Sequence, residues 1–363
     1  MTARRISFLL AFVLLASCNG DTGEFPYEAA RAELLRETVD VVIVPGYSDV
    51  HTSATTLHAR AIALCDGSPD VAGVDAARLA WRALFLAWEQ TSAYQFGPTR
   101  DSNLGNQLAF APTRPESIEA NIASPAAIDD AWVDSLGAAG VGVFALEYLL
   151  YADADSAAVA AALIGAPRRC DYLVALGAHA ERLSARIVAE WTPYGESFAT
   201  AATAGNTSFP SQLRAISVLL TQMLSSVSAL KVARLGVPLG DANGGVVQPA
   251  EVRSPYAGLS NEGMLAALDG FRATWTAGAD GRGLGGYLAM RNAPLADTVI
   301  AQLVRTHTAL AAIPAPLESY IVRPDHALAT NAQLEVRNLE RTIGTDVAGS
   351  LSISLMFTDA DGD

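Results

Sequence analysis

Cysteine is scarce in this chain of 363 residues: there are three, Cys18, Cys65 and Cys170, too far apart for any CxxC pair. That spacing excludes a thioredoxin-like redox motif and a zinc ribbon. Histidine is scarce as well. The five, His51, His58, His179, His307 and His326, are scattered, with no HExxH in which two imidazoles one helical turn apart hold zinc beside a glutamate base. His51 and His58 stand ~10 Å apart along a helix, too far to chelate one ion as a pair. His179 and His307 continue apolar stripes and read as hydrogen-bonded packing residues, while His326 follows a turn-like Pro-Asp. No GxSxG elbow accompanies a histidine and an acid, so a serine hydrolase has no support. Glycines 281, 283, 285 and 286 follow no strand; they read as a turn rather than a phosphate loop. Charge is sparse at 17% and unbalanced, 24 basic against 38 acidic residues for a net of −14, which argues against nucleic acid and other polyanions as partners. No run alternates with period two over a strand's length.

What the chain has is helical periodicity and 51% apolar residues, enough for a large core. Ile216, Leu219, Leu220, Met223, Leu224 and Val227 draw one continuous stripe down a helix. Trp81, Leu84, Phe85 and Trp88 make a second, and Leu173, Leu176, Ala180, Leu183 and Ile187 a third. The class is all-α. Proline and glycine punctuate the helices at Gly97-Pro98, Gly165 to Pro167, Gly205 to Pro210 and Gly236 to Pro255, the last being the longest irregular segment and a place to look for function. A boundary between Pro193 and Pro210 divides the chain into an N-terminal bundle, 25–200, and a C-terminal bundle, 201–363.

Residues 1–17 read as a secretory signal: Arg4 and Arg5, then an apolar core from Ile6 to Leu15, too short for the ~20 residues of a spanning helix. Leu15-Ala16-Ser17-Cys18 matches a lipoprotein box, so Cys18 is the expected lipidation site and 18–24 the tether. The expected membrane partner is reached through that lipid, and the expected location is the cell envelope, at an outer membrane and facing the periplasm if the host has two membranes. Export leaves Cys65 and Cys170 under oxidising conditions, where a disulfide between them is plausible and two buried thiols are the alternative. Asp359, Asp361 and Asp363 alternate like the opening of a calcium loop, but the later ligands are missing.

One stretch stands apart. In Gly142-Val143-Phe144-Ala145-Leu146-Glu147-Tyr148-Leu149-Leu150-Tyr151 a lone carboxylate sits inside an apolar helical run, an arrangement that is costly unless something pairs with it. Phe144 lies one turn before Glu147, with Tyr148 and Tyr151 beside it, so one face mixes aromatic rings with an acid.

The stretch resembles the GxHxxE signature of the imelysin-like family of bacterial envelope proteins, with Gly142 and Glu147 in place and Phe144 where the family has histidine. Trp81 to Gly97, Thr113-Arg114-Pro115, Arg234 to Gly240, and the ending from Thr345 to Asp363 also resemble family segments, in family order, over nearly the whole mature chain. The resemblance implies two helical bundles with the glutamate near their interface. It also implies roles in iron uptake or, for some members, peptidase activity. It places Arg114 beside Glu147 as a guanidinium partner, and Asp101 could add a second oxygen ligand. Gly142, Phe144, Glu147, Tyr148, Arg114 and Asp101 are thus the candidate binding residues. Phenylalanine cannot share a metal or a proton, so the expectation is a binding component associated with iron-uptake or other envelope proteins. Carboxylates, Glu147 first, would hold iron or another hard cation weakly at most. The alternatives are a divergent imelysin-type metallopeptidase and a scaffold lipoprotein whose glutamate is structural.

Overall fold

Asp70 shows how the helices are set: its side chain accepts from the Gly73 amide at 2.7 Å, capping the helix Val71–Gln90. Val74, Ala77, Trp81, Leu84, Phe85 and Trp88 then enter the core along one face. The computed structural model describes residues 25–278 and 281–355. The residues read as a secretory signal and tether, Cys18 among them, and Asp359, Asp361 and Asp363 lie outside the described residues. Helix is the only regular structure among those that are described.

In the first half, Val44–Cys65 and the long helix Pro167–Ala199 lie against each other, and Val71–Gln90 packs on the former. A disulfide joins Cys65 to Cys170 at a Cα–Cα distance of 5.6 Å, tying these two helices together. In the second half, Gln212–Ala229, Ser260–Thr276, Leu284–Ala311 and Ala327–Arg341 pack together. All three stripes read from the sequence are buried. Gln212–Leu239 is apolar enough to cross a membrane by composition, but its stripe is consumed in this core.

The long helix runs through Pro193 to Ala199, and irregular chain follows until Ser211 caps the next helix through the Arg214 amide. The halves share a broad contact. Val71–Gln90 packs on Ser260–Thr276, where a Cβ at Gly270 would collide with the Gln90 carbonyl oxygen, so only glycine lets the two backbones touch. The helix Phe25–Glu37, read as part of the first half, packs on Gln212–Ala229 and Leu284–Ala311 as well as on Pro167–Ala199. The turn expected over glycines 281 to 286 ends at Gly283; Gly285 and Gly286 open the helix Leu284–Ala311.

Candidate functional site

The helix Gly142–Tyr151 starts in a place only glycine can occupy. Gly142 has φ +79°, and a Cβ there would lie 2.7 Å from the Gln107 carbonyl oxygen and collide with that of Leu108. The Trp81 indole donates to the Val143 carbonyl at 2.7 Å, and Phe85 meets Phe144 edge-on at 6.1 Å, so the aromatic face of Val71–Gln90 holds this helix in position.

Glu147 is completely buried. Its Oε1 accepts from Ser254 Oγ at 2.7 Å, from the Ala257 amide at 2.9 Å and from the Tyr256 amide at 3.1 Å. Its Oε2 is buried with no hydrogen-bond partner. Burial pushes the Glu147 carboxyl up to about 7, against the pull of those three hydrogen bonds, and the nearby Glu318 carboxylate adds to the rise. Glu318, itself raised by burial, also has a buried oxygen, Oε2, without a partner.

Arg114 is not the partner of Glu147. It is exposed at the N-terminal end of the helix Pro115–Ala123, and the donors come instead from the segment 254–257. Asp101 is also elsewhere, exposed and 3.0 Å from Arg100. Tyr148 does adjoin the glutamate on its helix: its hydroxyl donates to Glu119 at 2.8 Å, its ring meets Tyr256 at 5.2 Å, and Arg169 pairs with the same Glu119.

The residues that sequence reasoning did not single out form a buried ionic cluster beside the signature. Arg253, next in the chain to Ser254, places its guanidinium 4.7 Å above the Phe144 ring and donates to Glu89 at 3.1 Å. Arg234 donates to the other oxygen of Glu89. Burial alone would raise the Glu89 carboxyl, but the two guanidinium groups outweigh it and hold it below its ordinary value. Burial pulls Arg253 down, and the carboxylates of Glu89 and Glu147 oppose that fall. One segment, 253–257, thus covers both Phe144 and Glu147.

The signature does not supply a metal-ligand set of its own: position 144 offers no donor atom, a fixed cation stands over its ring, and Glu147 has one oxygen engaged three times, with Oε2 alone left over. Among the described residues no three His, Cys, Asp or Glu side chains converge. Four of the five histidines are engaged separately: His58 with Glu181 at 2.6 Å, His179 with Asp134 at 3.0 Å, His51 with Ser184 at 3.2 Å and His326 with the Arg323 carbonyl at 2.9 Å.

Asp101 lines a different feature, a cleft of about 730 Å³ between the two halves. The first half contributes Arg100, Asp101 and Tyr194; the second contributes Arg214, Gln222, Ser225, Ser228, Glu340 and Arg341, with Phe209 from the connector.

The chain matches the family profile described as Imelysin over residues 43–343. Iron-regulated protein A of Synechococcus elongatus is 24% identical over 317 residues, covering 85% of this chain and 83% of that one. Two solved structures share the fold, each with a TM-score of 0.75. One, described as an iron-regulated protein A precursor from Parabacteroides distasonis, is 19% identical and covers 89% of this chain and 95% of its own. The other, an imelysin-like protein from Psychrobacter arcticum, is 21% identical and covers 91% and 98%. With its profile match spanning most of the sequence and its helices arranged as in these two structures, this chain belongs to the imelysin family.

Proposed function

We propose that the protein is an exported component of the cell envelope, anchored by lipid at Cys18, that serves iron acquisition by binding rather than by catalysis. Membership of the imelysin family and the likeness to a protein named for its iron regulation support the iron connection. The leader and lipoprotein box of residues 1–18 support export and anchoring. One observation carries the choice of binding over hydrolysis: Arg253 lies over Phe144 while Ser254, Tyr256 and Ala257 engage Glu147 Oε1, so positions 144 and 147 together offer a catalytic metal at most the single oxygen Oε2. Glu147 serves here as a buried tie between the helix Gly142–Tyr151 and the segment 254–257.

Deleting the gene in its native host tests this reading. Iron accumulation under iron limitation falls and is restored by the wild-type chain but not by Cys18→Ala. Unchanged accumulation in the deletion strain overturns the iron role. Chelator-sensitive cleavage of a peptide library, abolished by Glu147→Ala, overturns binding in favour of a divergent metallopeptidase.

A further inference from the structure

The cleft holding Asp101 has the chemistry of a binding site, and nothing in the signature accounts for it. We propose that it binds a small organic polycarboxylate, free or as a metal chelate; this rests on the reading of the protein as a binding component and names its ligand class.

The first support is charge. In a chain with 38 acidic and 24 basic residues, three arginines, Arg100, Arg214 and Arg341, line this one cavity. Two carboxylates also line it, and both are engaged: Asp101 by Arg100 at 3.0 Å, and Glu340 by Lys231 at 2.5 Å. Arg341 approaches an acid only at 4.0 Å, from Asp346, and its side chain is 68% exposed. A planar guanidinium is suited to two parallel hydrogen bonds with a carboxylate, and Arg100 and Arg341 come to the cleft from different helices, so a ligand with more than one acid group can engage both.

The second support is the two-sided character of the helix Gln212–Ala229. Its apolar stripe enters the core, while Gln222, Ser225 and Ser228 line the cleft; Gln222 keeps one amide hydrogen beside its bond to the Ser92 carbonyl, and Ser225, which donates to the Thr221 carbonyl, meets a ligand only by turning its hydroxyl. Tyr194 and Phe209, edge-to-face at 5.6 Å, give an apolar wall. The third is the backbone. Gly344 and Thr345 reach the cleft from the π-helical turn Thr342–Val347, a departure from α-helix often found at functional positions. The volume of about 730 Å³ suits a small molecule and leaves room for a chelated ion.

Calorimetric titration of the full-length protein in detergent with citrate, acetate and inorganic phosphate tests the proposal. Citrate binds once per chain, and acetate at least about tenfold more weakly, because a single acid group cannot engage both arginines. Arg100→Glu and Arg341→Glu each weaken citrate at least about tenfold, while Arg272→Glu, the same charge change beside a separate groove, leaves it unaltered. The milder Arg341→Gln falls between, and its unchanged thermal unfolding shows that the fold is intact. The proposal is overturned if citrate fails to bind at millimolar concentration, if Arg272→Glu weakens it as much as the cleft variants, or if phosphate binds equally well. Failure here with iron accumulation still dependent on the gene removes only the assigned ligand class and leaves the envelope reading standing.

Discussion

The Glu147 junction and the Arg100–Arg341 cleft both lie where helices of the two halves meet, yet they treat charge in opposite ways. At the junction, Glu89 and Glu147 are fully buried, and Arg234 and Arg253 are held among them. At the cleft, Arg100 and Arg341 stand more than half exposed, and their partners are exposed acids. Breaking one pair in a dry cluster leaves a stranded charge, whereas water replaces an exposed partner cheaply. The junction is therefore built to hold the halves together, and the cleft is the region able to exchange its partners for a ligand.

Removing one member of the dry cluster has the largest expected effect. Glu89→Ala leaves two buried guanidinium groups without their carboxylate and lowers unfolding free energy by about 3–5 kcal/mol in urea titrations. A loss as small as that of a surface pair would erase the contrast between the regions. Reduction of the Cys65–Cys170 disulfide, which closes a loop of 105 residues, removes about 2–5 kcal/mol while leaving citrate binding in place, since neither cysteine adjoins the cleft.

Glu147 gives a comparison across pH. Its folded-state carboxyl titrates at about 7 rather than at the ordinary 4.5, so between those values the native state holds more protons than the unfolded chain. The contribution is fully present below the unfolded value and is lost as pH rises through about 7, amounting to about 3 kcal/mol. Glu147→Gln, which keeps the shape and cannot ionise, removes that part of the decline. Parallel stability profiles for the two proteins between pH 5 and 8 contradict the buried, raised carboxyl. The smallest effect is at the cleft: Arg341→Gln changes stability by no more than about 0.5 kcal/mol, read by thermal unfolding.

Much of this was legible in the sequence because it depends on periodicity. The stripes from Trp81 to Trp88, from Leu173 to Ile187 and from Ile216 to Val227 are buried as their spacing requires. The long irregular segment from Gly236 to Pro255 does supply residues to the signature, through Arg253 and Ser254. The partners themselves were hidden for two reasons. Backbone amides such as those of Tyr256 and Ala257 leave no trace in residue type. Nor does chain order say which arginine reaches a given acid: the family-like segments contain Glu89 and Arg234, but their pairing spans 145 positions, and the family resemblance points to Arg114 for Glu147. Asp101, expected beside Glu147, lines the cleft instead.

The most direct measurement is the metal content of protein purified without chelators, before and after dialysis against iron and zinc salts, for the wild type and Glu147→Gln. With Arg253 over Phe144 and Glu147 tied to residues 254–257, neither protein retains a stoichiometric metal. A wild-type chain carrying one tightly held ion that Glu147→Gln loses would contradict the account.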